Sequence, residues 1–163
     1  MHNIKVKFDK TIPFDGNTMF KEISDDYIGL FYVYLEYFYN GYNKHKPIYI
    51  GSSIKSKNIK YAIANFLEDY EDKIKEHIEK FINDKKIKKK NTELLISLAK
   101  INNIKELRMV EEVAIYKNKD LLLNENIPTD LSYNDMEIEI LDINNSSDNS
   151  ETLGLKNNIS IKI

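Results

Sequence analysis

The sequence predicts a mixed α/β domain in which hairpin-paired strands are joined to helices. Three observations predict it. Two strand-like runs, Gly29–Leu35 and Pro47–Gly51, flank Asn40-Gly41. Asn-Gly is the strongest short-range hairpin signal, because both residues tolerate the positive φ of a type I′ turn. Downstream, Ile59, Ile63, Phe66, Tyr70, Ile74, Ile78 and Phe81 fall at steps of three and four, one continuous helical stripe. At the start of the chain Ile4, Val6 and Phe8 alternate with Lys5 and Lys7, the period of a half-buried strand.

The remaining elements follow in order. Pro13-Phe14-Asp15-Gly16-Asn17 reads as a turn, and a short helix is expected from Thr18 to about Ser24. In the hairpin, a turn without a bulge sets Tyr49 opposite Tyr32, paired positions summing to 81. Pro47 cannot donate to a ladder, so a bulge or edge there shifts the register, and a slip of one presents Phe31 in place of Tyr32. Ser56 or Asn58 caps the long helix. Lys85, Lys86, Lys88, Lys89 and Lys90 then form the densest local charge in the chain. A second helix is expected from Thr92 to Ile101, broken by Asn102-Asn103, and a third from about Ile104 to Asn118. Leu121-Leu122-Leu123 reads as a short buried strand or core segment ending at Asn124. Met136–Ile140 and Ile159–Ile163 alternate as strands, with a polar loop at Asn144–Ser150 between them.

Composition narrows the classes of function. A chain of 163 residues fits one domain with its own core. Its net charge of −2 means that nucleic-acid binding needs a local basic face. The absence of cysteine removes disulfides, zinc-thiolate sites and thiol nucleophiles together. No apolar run of membrane-spanning length occurs, and Met1–Lys5 opens no signal-peptide core, so a cytoplasmic protein with no membrane partner is expected. Lys, Ile, Asn and Tyr abound while arginine occurs once, at Arg108. That bias suggests an AT-rich genome, in which lysine can replace a catalytic arginine.

Gly29-Leu30-Phe31 followed by Tyr49-Ile50-Gly51 and Ser52-Ser53 resembles the paired strand motifs of the GIY-YIG endonucleases. The resemblance spans roughly residues 28–124, leaving 1–27 as an N-terminal strand and short helix and 125–163 as a β-rich extension of the same domain. It implies a small, mostly antiparallel sheet flanked by helices. It also implies a metal-dependent site holding a tyrosine from each strand motif, an arginine and a His or Tyr on the first helix, a glutamate on a later helix and an asparagine beyond it. Phosphodiester hydrolysis needs an activated water, stabilisation of phosphoryl charge and help for the leaving group. One carboxylate can hold Mg²⁺ while waters and substrate complete its octahedron.

Carried over residue by residue, the resemblance implies Tyr49 as the second tyrosine, Glu112 as the metal-binding carboxylate and Asn124, twelve positions later, as the closing asparagine. Glu111 competes with Glu112 but points about 100° away on a helix. The first tyrosine stays open between Phe31, by literal alignment, and Tyr32, by hairpin register. The first helix departs from the pattern, because literal alignment puts Ala62 and Phe66 at the arginine and His/Tyr positions. Lys57 with Tyr61, four apart, or Lys60 are the alternatives, although lysine lacks the arginine fork. Arg108, four residues before Glu112, is a further candidate for the missing cation. Phe66 aside, His77 lies off the helical stripe and is expected at its rim. The lysines of 85–90 are either a solvated connector or a phosphate-binding run. The expectation is an endonuclease that cuts DNA with Mg²⁺ or Mn²⁺. The alternatives are an inactive descendant that binds nucleic acid or a protein partner, and cleavage of structured RNA.

Overall fold

The computed structural model describes residues 2–16, 18–54, 57–128, 136–142, 151–152 and 155–156. Its frame is a mixed α/β sheet. Strand β1 (His2–Pro13) is followed by a 3-10 turn at Met19–Glu22, then by β2 (Gly29–Tyr39) and β3 (Tyr42–Ser52). Helix α1 (Ile59–Lys85) leads to β4 (Thr92–Lys100), α2 (Ile104–Lys117) and β5 (Met136–Asp142). The sheet order is β3-β2-β4-β1-β5. Four strands pair antiparallel, and β5 adds to β1 in parallel, His2 opposite Met136 through Phe8 opposite Asp142. Two-residue strands β6 (Glu151–Thr152) and β7 (Leu155–Lys156) form a separate ladder. The strand expected at Ile159–Ile163 lies outside the described residues, as does the loop expected at Asn144–Ser150.

The hairpin turns where the sequence says it should. Asn40 has φ 52° and Gly41 φ 82°, the paired positive values of a type I′ turn. Partners sum to 81 from Tyr39–Tyr42 as far as Tyr34–Pro47. There Ile48 is inserted as a bulge, and beyond it Val33 faces Tyr49 and Phe31 faces Gly51. The unbulged pairing of Tyr49 with Tyr32 therefore does not occur. The extra residue stands beside the one residue of β3 that has no N–H to give the ladder.

The expected helix over Thr92–Ile101 is corrected: this segment is β4, the centre of the sheet, paired with β2 on one side and β1 on the other. Leu95 and Ala99 pack into the core beneath α2, while Leu94, Ile96 and Leu98 face the core beneath α1. A strand buried on both faces reads as a continuous apolar run, which hides its period of two. The Leu, Glu, Ala and Lys content then mimics helix propensity.

The two helices cover opposite faces. Leu107, Val110, Val113 and Ala114 of α2 join Ile4, Val6, Phe8, Tyr32 and Tyr34 on one side. Ile59, Ile63, Phe66 and Ile74 of α1 join Phe31, Val33, Leu35 and Ile48 on the other. Asn58 caps α1 by accepting the Lys60 N–H, and Lys86 ends it in the left-handed region at φ 57°. Asn103 caps α2 by accepting the Glu106 N–H. Leu121-Leu122-Leu123 forms no strand: Leu121 is exposed and its neighbours are half-buried. No helix among the described residues is long and apolar enough to cross a membrane.

Candidate active site

The glycines of the two strand motifs are demanded by packing. A Cβ on Gly51 would overlap the Phe31 ring, and one on Gly29 would overlap the Ala99 carbonyl. With no side chain at Gly51, Phe31 lies across β3 and stacks on Tyr49 at 5.8 Å between ring centres. Tyr49 continues the stack onto Phe66 of α1 at 4.1 Å and meets Tyr70 at 5.1 Å. This aromatic wall bounds an open cavity of about 210 Å³. Ser52 lines it from β3, Asn65 and Asp69 from α1, and Arg108 and Glu111 from α2.

Arg108 is held by three partners. One guanidinium nitrogen donates to the Ser52 hydroxyl at 2.6 Å and to Glu111 at 3.3 Å; the other donates to the Ser53 carbonyl at 2.8 Å. The loop that receives it is itself fixed. Ser53 donates its N–H to the Gly29 carbonyl at 2.9 Å, and its hydroxyl accepts the Gly29 N–H at 2.9 Å. Ser52-Ser53 thus ties the start of the first motif to the end of the second and presents the Ser52 hydroxyl and the Ser53 carbonyl to Arg108 of α2.

Burial sets the electrostatics. It pushes the Glu111 carboxyl above the ordinary range, against the opposing pull of Ser52 and Arg108. It lifts the Tyr49 phenol to about 12, with Tyr70, Glu111, Asp69 and Glu125 adding to the shift. A tyrosine in that state is a neutral phenol at neutral pH. It can orient a water but is a poor acceptor for that water's proton.

The sequence-predicted residues divide sharply in space. Tyr49 and Arg108 line the cavity. Glu112 stands half-buried on α2 next to the residue that does line it, Glu111. Tyr32 is buried on the opposite face of the sheet, stacked on Tyr34 at 4.8 Å, and the bulge at Ile48 puts Phe31 in the cavity wall instead. Ala62 and Phe66, the two positions of literal alignment, do face the cavity. Lys57 reaches over the Tyr61 ring at 5.4 Å, and Lys60 pairs with Asp25 at 2.6 Å. Lys60 and Tyr61 line a different surface groove with Phe20 and Asp25, and neither Lys57 nor Lys60 lines the cavity. Asn124 is buried behind β3, accepting the Ile50 N–H at 3.2 Å and donating to the Ile50 carbonyl at 2.8 Å. It is a clamp on the strand that carries Tyr49.

Lys85, Lys86, Lys88, Lys89 and Lys90 are exposed where α1 gives way to β4, around the buried anchor Ile87. His77 is half-buried, with its Nε2 lacking a hydrogen-bond partner. Tyr70 and Asp69 are the residues sequence reasoning passed over as site residues, and Glu111 is the one it ranked behind Glu112. Tyr70 is a tyrosine on the apolar stripe one turn beyond Phe66, and Glu111 is one turn beyond Arg108; both spacings are visible in the sequence.

Among the described residues no group of three or more His, Cys, Asp or Glu comes together to hold a metal. What the cavity offers is an all-oxygen set, with Glu111 and Asp69 as its carboxylates. Mg²⁺ in phosphoryl sites is commonly held by one or two carboxylates and completed by water and substrate phosphate. The acidic neighbours that help lift Tyr49 mark a negative field that a divalent cation would relieve. Two carboxylates do not form a closed cage; they are as many as a Mg²⁺ that arrives with a phosphate commonly takes from a protein.

Neither family models, curated proteins nor solved structures match the chain.

Proposed function

We propose that the chain is a GIY-YIG-type endonuclease that hydrolyses DNA phosphodiester bonds with Mg²⁺ or Mn²⁺. One observation carries the reading: Tyr49, Arg108 and Glu111 converge on a single open cavity beside the Tyr49-Ile50-Gly51 motif. Phosphate hydrolysis asks for those three functions together, a hydroxyl for the water, a fixed cation for phosphoryl charge and a carboxylate for the metal.

Glu111 would hold the metal, which when bound polarises a phosphoryl oxygen. Tyr49 orients the attacking water as a neutral phenol, with Tyr70 alongside. Asp69 is the carboxylate the cavity offers for the water's proton. As the new P–O bond forms and the bond to the leaving oxygen breaks, charge grows on the phosphoryl oxygens. Arg108, pre-oriented by Ser52 and Ser53, meets that charge without having to reorganise. Asn124 keeps Ile50, and so Tyr49, in place.

A second reading is a catalytically silent descendant that binds nucleic acid or a protein partner. Phe31, Ala62 and Phe66 favour it, since they stand where the family resemblance implies a hydroxyl, a cation and a His or Tyr. Nicking of supercoiled plasmid separates the two. Relaxed product with Mg²⁺ or Mn²⁺ and none with EDTA is expected; intact plasmid with every divalent metal leaves the second reading standing.

A further inference from the structure

The turn end of the β2–β3 hairpin carries a second charged feature, apart from the cavity. Lys44 lies 5.6 Å from the Tyr39 ring centre and Lys85 5.4 Å from the same ring. Lys85 also lies 5.8 Å from Phe81, and Lys46 4.8 Å from Phe81. Tyr37 packs edge-on against Phe81 at 5.0 Å and completes the floor. Three ammonium groups thus share two aromatic rings. Among the described residues none of the three pairs with a carboxylate. The crowding has a cost: burial and then Lys85 push Lys46 below the ordinary lysine range, and burial, Lys46 and Lys80 push His77 down. Positive charge is concentrated here with no carboxylate paired to these lysines among the described residues, which is the condition an anion relieves.

Its position relative to the cavity is fixed by two rigid elements. Tyr37, Tyr39, Lys44 and Lys46 belong to the same hairpin face as Phe31 and Tyr49, the face under α1. Lys46 and Lys44 precede Tyr49 by three and five residues along the edge strand, about 10–17 Å at roughly 3.4 Å per residue. Along α1, Phe81 and Lys85 lie eleven and fifteen residues beyond Tyr70, about 17–23 Å at 1.5 Å per residue. Successive phosphates of one DNA strand advance about 3.4 Å along the duplex axis.

We propose that Lys44, Lys46 and Lys85 form a phosphate-binding subsite for the backbone of duplex DNA, about three to seven base pairs from the phosphate held at the Tyr49–Glu111 cavity. The site rests on the nuclease reading for its register and on its own geometry for its existence. The rings beneath the lysines cover their stems, with Lys44 and Lys85 exposed and Lys46 half-buried between them. Binding here is sequence-independent and adds reach, so substrates too short to span both sites lose it.

The test uses the full chain in EDTA, with fluorescence anisotropy of a duplex of about 24 base pairs across a salt series. Replacing Lys44, Lys46 and Lys85 together by Gln is expected to lower the slope of log K against log salt by about 2–3, since each neutralised phosphate contributes about 0.9. A control variant that replaces Lys21, Lys105 and Lys117 makes the same change in net charge and is expected to keep the slope. An unchanged slope in the first variant, equal losses in both variants, or no duplex binding by wild type would each overturn the proposal. A lowered slope in a protein that never nicks plasmid would keep the subsite and sink the nuclease reading instead.

Discussion

Arg108 and Glu111 show how much of the site a single helical turn decides. Arg108 stands out in the sequence as a candidate cation because it is the chain's only arginine and precedes a glutamate pair. The 12-residue interval to Asn124 favours Glu112, yet the i,i+3 partner of Arg108, at 3.3 Å, is Glu111. Spacing along the chain carries no information about which side of α2 turns inward; the buried run Val110, Val113 and Ala114 settles it. Arg108→Lys is expected to slow nicking about a hundredfold, because a lysine cannot hold Ser52, Ser53 and a phosphate at once. Near wild-type rates in that variant would reduce the residue to a structural tie. Glu111 also makes a claim about stability. Its carboxyl binds a proton more tightly folded than unfolded, so this group favours folding at acid pH and opposes it as the pH rises from the ordinary value of 4.5 through the raised one. Glu111→Gln is therefore expected to melt higher than wild type at neutral pH, with the gap closing toward pH 4. A gap that widens on acidification would contradict the assigned direction.

At the scale of elements, the hairpin and the long helix were legible and the central strand was not. Asn40-Gly41 and the stripe from Ile59 to Phe81 are local signals, complete within one turn or one face. The identity of β4 depends on what lies on both of its faces, so no local pattern records it. The bulge at Ile48 falls between: Pro47 announces a disturbance in the ladder, but its consequence, Phe31 rather than Tyr32 beside Tyr49, follows only from where the extra residue goes. β3 is the edge strand at this end of the sheet, and Asn124 completes it by pairing both polar groups of Ile50, as a neighbouring strand would. Asn124→Ala would leave a buried N–H and C=O without partners. A loss of about 2–4 kcal/mol in urea unfolding is expected, with nicking lowered even where the variant is fully folded. A variant as stable as wild type would mean that the clamp is ornamental.

For the whole molecule, the cavity follows from packing a sheet between two helices that each lend residues to its wall. α1 brings Asp69 and Tyr70, α2 brings Arg108 and Glu111, and the hairpin between them brings Tyr49. Phe31, Ala62 and Phe66, which depart from the pattern of the proposed family, fall on the wall of that cavity, where Phe31 and Phe66 stack on Tyr49. Whether Arg108 and Glu111 compensate for them is the central claim. Initial rates of plasmid nicking by wild type, Glu111→Gln and Glu112→Gln, measured side by side in Mn²⁺, test it most directly. Activity in wild type that is lost in Glu111→Gln and kept in Glu112→Gln is the predicted result. Full activity in Glu111→Gln, with Glu112→Gln inactive, would contradict it.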